Sequence, residues 1–404
     1  MIYVELPLSR IELGRPIPVN VFDTKGNLLI RRGQPIASAQ HLEMLAAHQA
    51  CVSELDLQAW QRSYDRLIYS MLREGRSVEE ISDTAMPAVI LDIDYAVGFD
   101  VVGGWLDLHE ALSAVLYQGA GARNAMQRLD GIQNRATDLL KANPDAALFA
   151  LFQALGDPSV PYSAKHALLA AVVGELTAQN LQLPDLVRPV LFLAALTMNV
   201  AMAREQDALA RQTTPPTPEQ KKLITEHAGR SVEILRGLGA VNEDLLDIVG
   251  GHHANPDGAG LPRNQECRQV LHLADLFIAR MAARATRSGL TSLLAARSIV
   301  ADPDGKATRI GSAMSRALGF YPPGTYVTLA NGETAVVVRR GAAANTPLVV
   351  SVLGANGLPV GQYVGRDSRD KQYAVRGPLN PDQLKLRLDG EKIERAADKT
   401  RPAA

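Results

Sequence analysis

The sequence is poor in features that mark several classes of protein. Only two of its 404 residues are cysteines, Cys51 and Cys267, which excludes a disulfide framework and is typical of a reducing compartment. The net charge is only −1, so the chain lacks the basic excess of proteins that bind nucleic-acid polymers or anionic membranes. We therefore expect neither kind of partner.

Long apolar runs are also missing. The longest, residues 189–203, contains Thr197 and Asn199, is too short for a membrane span and predicts a buried helix instead. The opening MIYVELPLSRIELG carries an early acidic residue and no apolar core, so we expect no signal peptide there. Together these absences favour a cytoplasmic protein.

The chain has ample material for a core, because 47% of its residues are hydrophobic and 21% are charged. Its length suits two or three domains. The pattern predicts a mainly α fold, with a helical bundle core, a small N-terminal α+β module and a C-terminal β-hairpin element. The expected boundaries are 1–60 for the N-terminal module, 61–150 for a helical linker, 151–318 for the helical core, 319–365 for the β-rich element and 366–404 for an extension and flexible tail.

Local signals support this division. Ser38 precedes a helical pattern as an N-cap, and Thr217 and Gln220 form a capping box around Pro218. Asn331-Gly332 lies between two strand-like runs and predicts a tight hairpin.

Five of the eight histidines concentrate in the helical region. His166 and His227 lie on apolar stripes of their helices, and His252 and His253 precede a Pro-Asp-Gly turn that ends a helix. A single histidine on an apolar face is more often a hydrogen-bonded core residue. Four histidines together with Asp275, a carboxylate on an apolar face, fit a metal site better. The fifth histidine of this region is His272.

Two further groups lie near these residues in the sequence. Arg280, Arg284 and Arg287 have the spacing of one helix face, and either a phosphate clamp or a solvated basic face fits them. Gly258 and Gly260 of the DGAGLP stretch predict a rigid loop around the site, where they would contact a substrate.

The order of these residues resembles the HD-GYP branch of the HD-domain phosphohydrolases, whose better-known members hydrolyse the bacterial second messenger cyclic di-GMP. The resemblance covers roughly residues 1–50 and 150–345. It implies an HD-type helical core and identifies the family's metal ligands with five residues of this chain: His166, His227, His252, His253 and Asp275.

The chain also departs from the family pattern. The defining His-Asp dyad falls on Met198 and Asn199, so the bridging carboxylate is replaced by a neutral amide, and a thioether stands where the family has an imidazole. The lysine that follows in the family falls on Met202. A glutamate of some members falls on Tyr162, and the tyrosine of Gly-Tyr-Pro falls on Leu261. Because the His-Asp dyad is absent, we assign no catalytic residue.

Three interpretations remain open from the sequence. The first is a degenerate HD-GYP-like protein of cyclic di-GMP signalling that acts as a nucleotide sensor or as a scaffold for signalling proteins. The second is an active metal-dependent phosphodiesterase with a reduced site, in which Arg280 or Arg284 neutralises charge. The third is a structural metal without signalling. The expected cofactor is either one divalent ion (iron, manganese or zinc) or none. A homodimer is expected only because dimers are common among soluble proteins.

Overall fold

The computed structural model describes residues 3–8, 11–73, 76–82, 84–90, 103–157, 160–253, 260–300, 306–380, 384, 386 and 388–400. The chain divides into two compact units. Unit 1 comprises residues 1–99 and 122–125, and unit 2 comprises residues 100–121 and 126–404.

Unit 1 is a small α+β structure built on an antiparallel sheet. Its four strands lie in the order Tyr3–Glu5, Cys51–Ser53, Val21–Phe22 and Leu28–Ile30. Ser38 caps the first helix by accepting a hydrogen bond from the His41 N–H, as predicted. The second helix runs through position 60, so it continues past the predicted boundary. The elements are β1 (Tyr3–Glu5), β2 (Val21–Phe22), β3 (Leu28–Ile30), α1 (Ala39–Ala47), β4 (Cys51–Ser53), α2 (Glu54–Arg73) and α3 (Val78–Ser82).

Unit 2 begins with a helical bundle. The helices that were predicted as a linker belong to this bundle, since the first and third of them pack on its centre. In chain order the helices are α4 (Trp105–Gln118), α5 (Ala125–Ala142), α6 (Pro144–Gly156), α7 (Tyr162–Asn180), α8 (Arg188–Thr197), α9 (Ala203–Arg211), α10 (Pro218–Gly237), α11 (Glu243–Gly250), α12 (Gln265–Met281), α13 (Ser292–Val300) and α14 (Arg309–Leu318).

Helix α7 is the centre of the bundle. Every residue from Tyr162 to Ala178 is buried, because α4, α6, α8, α9, α12 and α14 surround it. A helix that is apolar on all sides is stable in water only when it is enclosed in this way. His166 and Lys165 are therefore polar groups inside an apolar environment and need partners there.

The apolar run at 189–203 forms helix α8 and the turn after it. Leu191, Phe192 and Leu196 are buried, as expected for a helix inside the bundle. Among the residues that the structure describes, no helix combines the length and the hydropathy needed to cross a bilayer. The capping box predicted at Thr217 and Gln220 is present at the start of α10.

The C-terminal element is larger than the predicted hairpin. The hairpin at Asn331-Gly332 is present, but it is part of a five-stranded antiparallel sheet with the order β8-β7-β6-β5-β9. The region predicted as an extension and tail contributes the last strand and a helix that buries Ile393 and Ala397 on the sheet. These elements are β5 (Tyr326–Leu329), β6 (Thr334–Arg339), β7 (Leu348–Leu353), β8 (Pro359–Asp367), β9 (Val375–Leu379) and α15 (Gly390–Asp398).

The sheet is joined to the bundle through α6. Gln153 donates a hydrogen bond to the carbonyl oxygen of Gly324 at 2.6 Å. Gly324 has a φ of +91°, and a Cβ at this position would lie 2.7 Å from the carbonyl oxygen of Phe149. The backbone of the sheet can approach α6 this closely only where the side chain is a hydrogen atom.

We predict that Gly324→Ala lowers the free energy of unfolding by about 3 kcal/mol or more, because positive φ and steric overlap both act against the methyl group. Gly357→Ala is the matched control. Its φ is +76°, but a Cβ there would meet no atom within 4 Å, so about 1 kcal/mol is expected. Urea denaturation of both variants measures the difference, and equal losses would show that the close approach to α6 is unimportant.

Candidate metal centre

The N-terminus of α7 is fixed by a carboxylate from another helix. Pro161 at the N-cap position provides no side-chain cap. Asp207 of α9 is buried, and its carboxylate accepts hydrogen bonds from the Ser163 N–H at 2.6 Å, from the Ser163 hydroxyl at 3.2 Å and from the Tyr117 hydroxyl. A carboxylate at a helix N-terminus satisfies free N–H groups and interacts favourably with the helix dipole. This anchor fixes the first turn of α7, where Tyr162 and His166 lie.

A chain of hydrogen bonds runs through these two residues to Asp275. The Tyr162 hydroxyl, near which the exposed Arg284 exerts an electrostatic effect, lies 2.9 Å from Nδ1 of His166. Nε2 of His166 lies 2.7 Å from Oδ1 of Asp275. An ionised carboxylate can only accept. In the neutral imidazole, His166 therefore donates from Nε2 to Asp275 and accepts at Nδ1 from Tyr162.

The Asp275 carboxyl group is ionised in this arrangement. Burial acts against its charge, but the hydrogen bond from His166 and the nearby His252 and His253 outweigh burial and hold the pKa of Asp275 below its usual range. His166 and Asp275, both predicted as metal ligands, are thus already paired with each other.

The other three predicted ligands form a separate cluster. His227 lies on α10, while His252 and His253 directly follow α11. Their candidate ligand atoms all lie within 4.8 Å of one another. His227 and His252 are buried, and His253 is the exposed member. The sequence thus placed His252 and His253 correctly at a helix end, where adjacent side chains can converge.

Backbone carbonyls determine the tautomers of the two buried histidines. Nδ1 of His227 lies 2.7 Å from the carbonyl oxygen of Ile224, and Nδ1 of His252 lies 2.6 Å from that of Val249. Since a carbonyl oxygen only accepts, each Nδ1 carries the hydrogen and each Nε2 presents a lone pair in the neutral ring. Burial lowers the pKa of His227, and it lowers that of His252 to about 3, so both rings are neutral near pH 7.

The two lone pairs point towards the same position. Nε2 of His227 lies 3.2 Å from Nε2 of His252. Two nitrogens bound to one tetrahedral zinc ion at 2.0–2.1 Å are roughly 3.3 Å apart. Two neutral acceptors at this distance repel each other unless a cation lies between them. The three histidines therefore fit a divalent metal ion, with His253 as the third ligand. The Nδ1 atoms of His227 and His252 are hydrogen-bonded to backbone carbonyls, as is usual for histidines that bind a metal.

Met198 and Asn199, on which the resemblance places the dyad, lie in the turn between α8 and α9. Met198 is fully buried and Asn199 is 6% exposed, like Met202. The N–H of Ala201 donates to the Ser231 hydroxyl at 3.2 Å, one helical turn after His227 on α10. The turn is thus held against the helix of the His cluster, but Met198 and Asn199 offer that cluster no imidazole and no carboxylate.

One buried ion pair holds Leu261, whose N–H donates to Asp247 at 2.8 Å and whose carbonyl oxygen accepts from Arg268 at 3.1 Å. Arg268 of α12 pairs with Asp247 of α11 at 2.5 Å, and their side chains are only 8% and 14% exposed. A Cβ at Gly251 would lie 2.2 Å from Arg268, and one at Gly260 would lie 2.5 Å from it. Gly260 therefore makes room for Arg268, which gives it a structural role. Gly258 lies outside the described residues.

The predicted arginine face is wrong, because α12 ends at Met281. The end carbonyls of the helix take other partners: the Arg287 guanidinium donates to the Ala279 carbonyl oxygen at 2.6 Å, and the Leu290 N–H donates to that of Arg280 at 2.8 Å. Arg280 itself donates to the Ser298 carbonyl oxygen. Arg284 remains exposed beside Tyr162, so the geometry leaves it as the arginine most available to a ligand.

Sequence reasoning missed several residues that hold the site in place. Asp207, Asp247 and Arg268 act through hydrogen bonds between helices that are distant in sequence. Arg268 carried a weak signal, since a cation at an apolar helix position requires a buried partner. Asp207 is one of many aspartates on a polar helix, and nothing local distinguishes it.

The chain is similar in sequence to known phosphodiesterases. It is 24% identical over 211 residues to a cyclic di-GMP phosphodiesterase from Pseudomonas aeruginosa, a match that covers 50% of this chain and 51% of that protein. It is 28% identical over 155 residues to a 3′3′-cGAMP-specific phosphodiesterase from Vibrio cholerae, covering 36% and 34%. The chain thus spans about half the length of the first relative and a third of the second.

No protein-family model matches the sequence. A solved structure of an HDG"Y"P protein from Bdellovibrio bacteriovorus aligns with 78% of this chain and 99% of its own, at 14% identity and a TM-score of 0.43. The sequence matches confirm the resemblance that the motifs indicated. Over these parts of its length the chain is similar to phosphodiesterases of cyclic dinucleotides.

We predict that Arg268→Leu lowers the free energy of unfolding by roughly 3–5 kcal/mol, because it leaves the Asp247 carboxylate buried without its cation. Arg263→Leu is the control. Arg263 also pairs with an α11 aspartate, Asp244, but its side chain is 63% exposed, so a loss below about 1 kcal/mol is expected. Urea unfolding monitored by circular dichroism tests both, and similar small losses would show that the buried Arg268–Asp247 pair contributes little to stability.

Proposed function

We propose that this chain is a catalytically impaired HD-GYP-like protein of cyclic di-GMP signalling that holds one divalent metal ion and acts as a nucleotide sensor. The ion would lie between His227, His252 and His253. The single observation that carries the metal assignment is the 3.2 Å separation of two Nε2 lone pairs whose directions are set by backbone carbonyls. Iron, manganese and zinc all accept imidazole ligands.

His166 and Asp275, the other predicted metal ligands, are hydrogen-bonded to each other and not arranged around a second ion. His166 and Asp275 satisfy each other, and Tyr162 occupies the second nitrogen of His166. For His166 to offer Nε2 to a metal, it would have to move its hydrogen to Nδ1 and Tyr162 would have to accept instead. Together with the loss of the bridging carboxylate at Asn199, this supports one ion rather than two.

The missing dyad supports impaired catalysis. A bound divalent ion supplies Lewis acidity and activates water for attack on phosphodiesters. What remains of this chain's own machinery is Arg284, which would bind and orient a phosphate, and His253, which faces solvent at the edge of the cluster. Neither replaces the charge of a bridging carboxylate. Binding of a cyclic dinucleotide without turnover follows from this combination.

The sensor interpretation rests on relatives whose names specify cyclic dinucleotides. A scaffold for signalling proteins is the version that remains if no nucleotide binds. The cytoplasm is the proposed location, in keeping with Cys51 and Cys267, which are both free thiols.

We predict about one equivalent of iron, manganese or zinc per chain in freshly purified protein, measured by elemental mass spectrometry. His252→Gln should lose it, because an amide does not replace the Nε2 lone pair that faces His227. His166→Gln is the matched control. Its amide still donates to Asp275, and its metal content should be unchanged.

Other metal contents would separate the alternatives. Two equivalents, of which His166→Gln loses one, would contradict the one-ion site and favour the active phosphodiesterase. If the wild-type protein contains no metal after purification free of chelators, the metal site is contradicted and the three histidines are structural residues of the core.

We predict that cyclic di-GMP binds saturably in isothermal titration calorimetry and is not hydrolysed in a chromatographic assay. Arg284→Ala should weaken binding roughly tenfold or more, because a charge-assisted hydrogen bond contributes about 1.5–3 kcal/mol. Arg395→Ala, which changes an exposed arginine of α15, should bind normally.

Restoring the dyad tests the cause of the impairment. The double variant Met198→His and Asn199→Asp should bind more metal than the wild type and gain measurable hydrolysis. Hydrolysis by the wild type that disappears in His252→Gln would show an active enzyme with a reduced site. No binding of cyclic di-GMP would leave the scaffold version.

A further inference from the structure

His272 lies beside the His cluster without being one of its three members. It is located on α12, and its ring centroid is 6.1 Å from that of His253. Its Nδ1 lies 2.9 Å from the carbonyl oxygen of His252. Because a carbonyl oxygen accepts only, His272 carries its hydrogen on Nδ1 and donates it to the backbone of the His pair.

The backbone at this point needs an external partner. Helix α11 ends at Gly250, and the Gly251 N–H makes the last helical bond, to the carbonyl oxygen of Asp247. Carbonyl groups at a helix C-terminus have no partner within the helix. The bond from His272 satisfies the carbonyl of His252 and fixes the orientation of the peptide group that joins His252 to His253.

That peptide orientation decides whether the two rings converge. Adjacent side chains on a regular helix diverge by about 100°. Here the ring centroids of His252 and His253 are 4.1 Å apart, so the chain has left helical geometry between them. Rotation of this peptide would move His253, the exposed ligand, while His252 stays held by the carbonyl of Val249.

His272 belongs to a polar row on α12. Arg268, His272 and Asp275 are spaced four and three residues apart and so share one helix face. Arg268 binds the loop at the Leu261 carbonyl, His272 binds the His252 carbonyl, and Asp275 binds His166. One face of one helix thus contacts three separate parts of the candidate centre.

We propose that His272 is a positioning residue of the metal centre, which sets metal affinity by fixing the peptide group between His252 and His253. This inference rests on the proposed three-histidine site. A site of three neutral ligands gains no attraction from a bridging carboxylate, so its affinity depends strongly on how well the ligands are placed beforehand. Outer residues that orient ligands typically contribute 10–100-fold to metal affinity.

The test is the affinity of the full chain for Zn²⁺, measured by competition with a chromophoric chelator. His272→Leu keeps apolar bulk but removes the donor, and its affinity should fall about 10–100-fold. His272→Asn places an amide N–H near the position of Nδ1, and its affinity should stay within about threefold of the wild type. His109→Leu removes another buried histidine, which hydrogen-bonds to the Pro161 carbonyl, and should leave zinc affinity unchanged.

Each outcome has a distinct meaning. If the wild type binds no zinc, the proposed metal site itself fails. If the wild type binds zinc and folded His272→Leu binds it equally well, the site stands and the role of His272 is refuted. If His272→Leu does not fold, His272→Ala takes its place as the variant without a donor: a tenfold loss that His272→Asn does not share supports positioning through the hydrogen bond, and equal affinity of both variants overturns it.

Discussion

The hydrogen bond between His166 and Asp275 joins the two helices around which unit 2 is organised. Helix α7 is buried from Tyr162 to Ala178, so a polar group there is tolerated only with a partner close by. Asp275 provides that partner from α12, and the same helix face carries Arg268 and His272. Because burying an unpaired charge is costly, the placement of α12 against α7 is strongly constrained. The position of the His cluster follows from that placement.

Much of the fold could be predicted because its signals are local. Ser38, Thr217 and Asn331-Gly332 define element ends through bonds within a few residues, and all three are found as expected. The C-terminal strand at Val375–Leu379 was missed, since it contains Gly377 and Pro378 and is stabilised by pairing with β5, far away in sequence. The segment that forms helix α15 was predicted as a tail because most of its residues are charged. Only Ile393, Ala396 and Ala397 form a short apolar stripe.

In the candidate site, too, the features with local sequence signals were predicted and those that depend on distant contacts were not. Helical periodicity brought out His166, His227 and Asp275 as inward-facing polar residues, and the turn signal placed His252 and His253 at a helix end. Periodicity could not show that His166 and Asp275 pair with each other, or that α12 ends before Arg284. The spacing of the arginines fitted a helix, but the carbonyls at its end had better partners in the turn that follows.

The hydrogen-bonded row of Tyr162, His166 and Asp275 shows that the chemistry of a residue can be set by its neighbour. Tyrosine and histidine can each donate or accept at a given contact. The Asp275 carboxylate can only accept, so its identity specifies the hydrogen positions on His166 and Tyr162. An amide in place of Asp275 would restore the choice. A histidine that is unchanged in sequence can therefore change from a donor to a ligand through a substitution elsewhere.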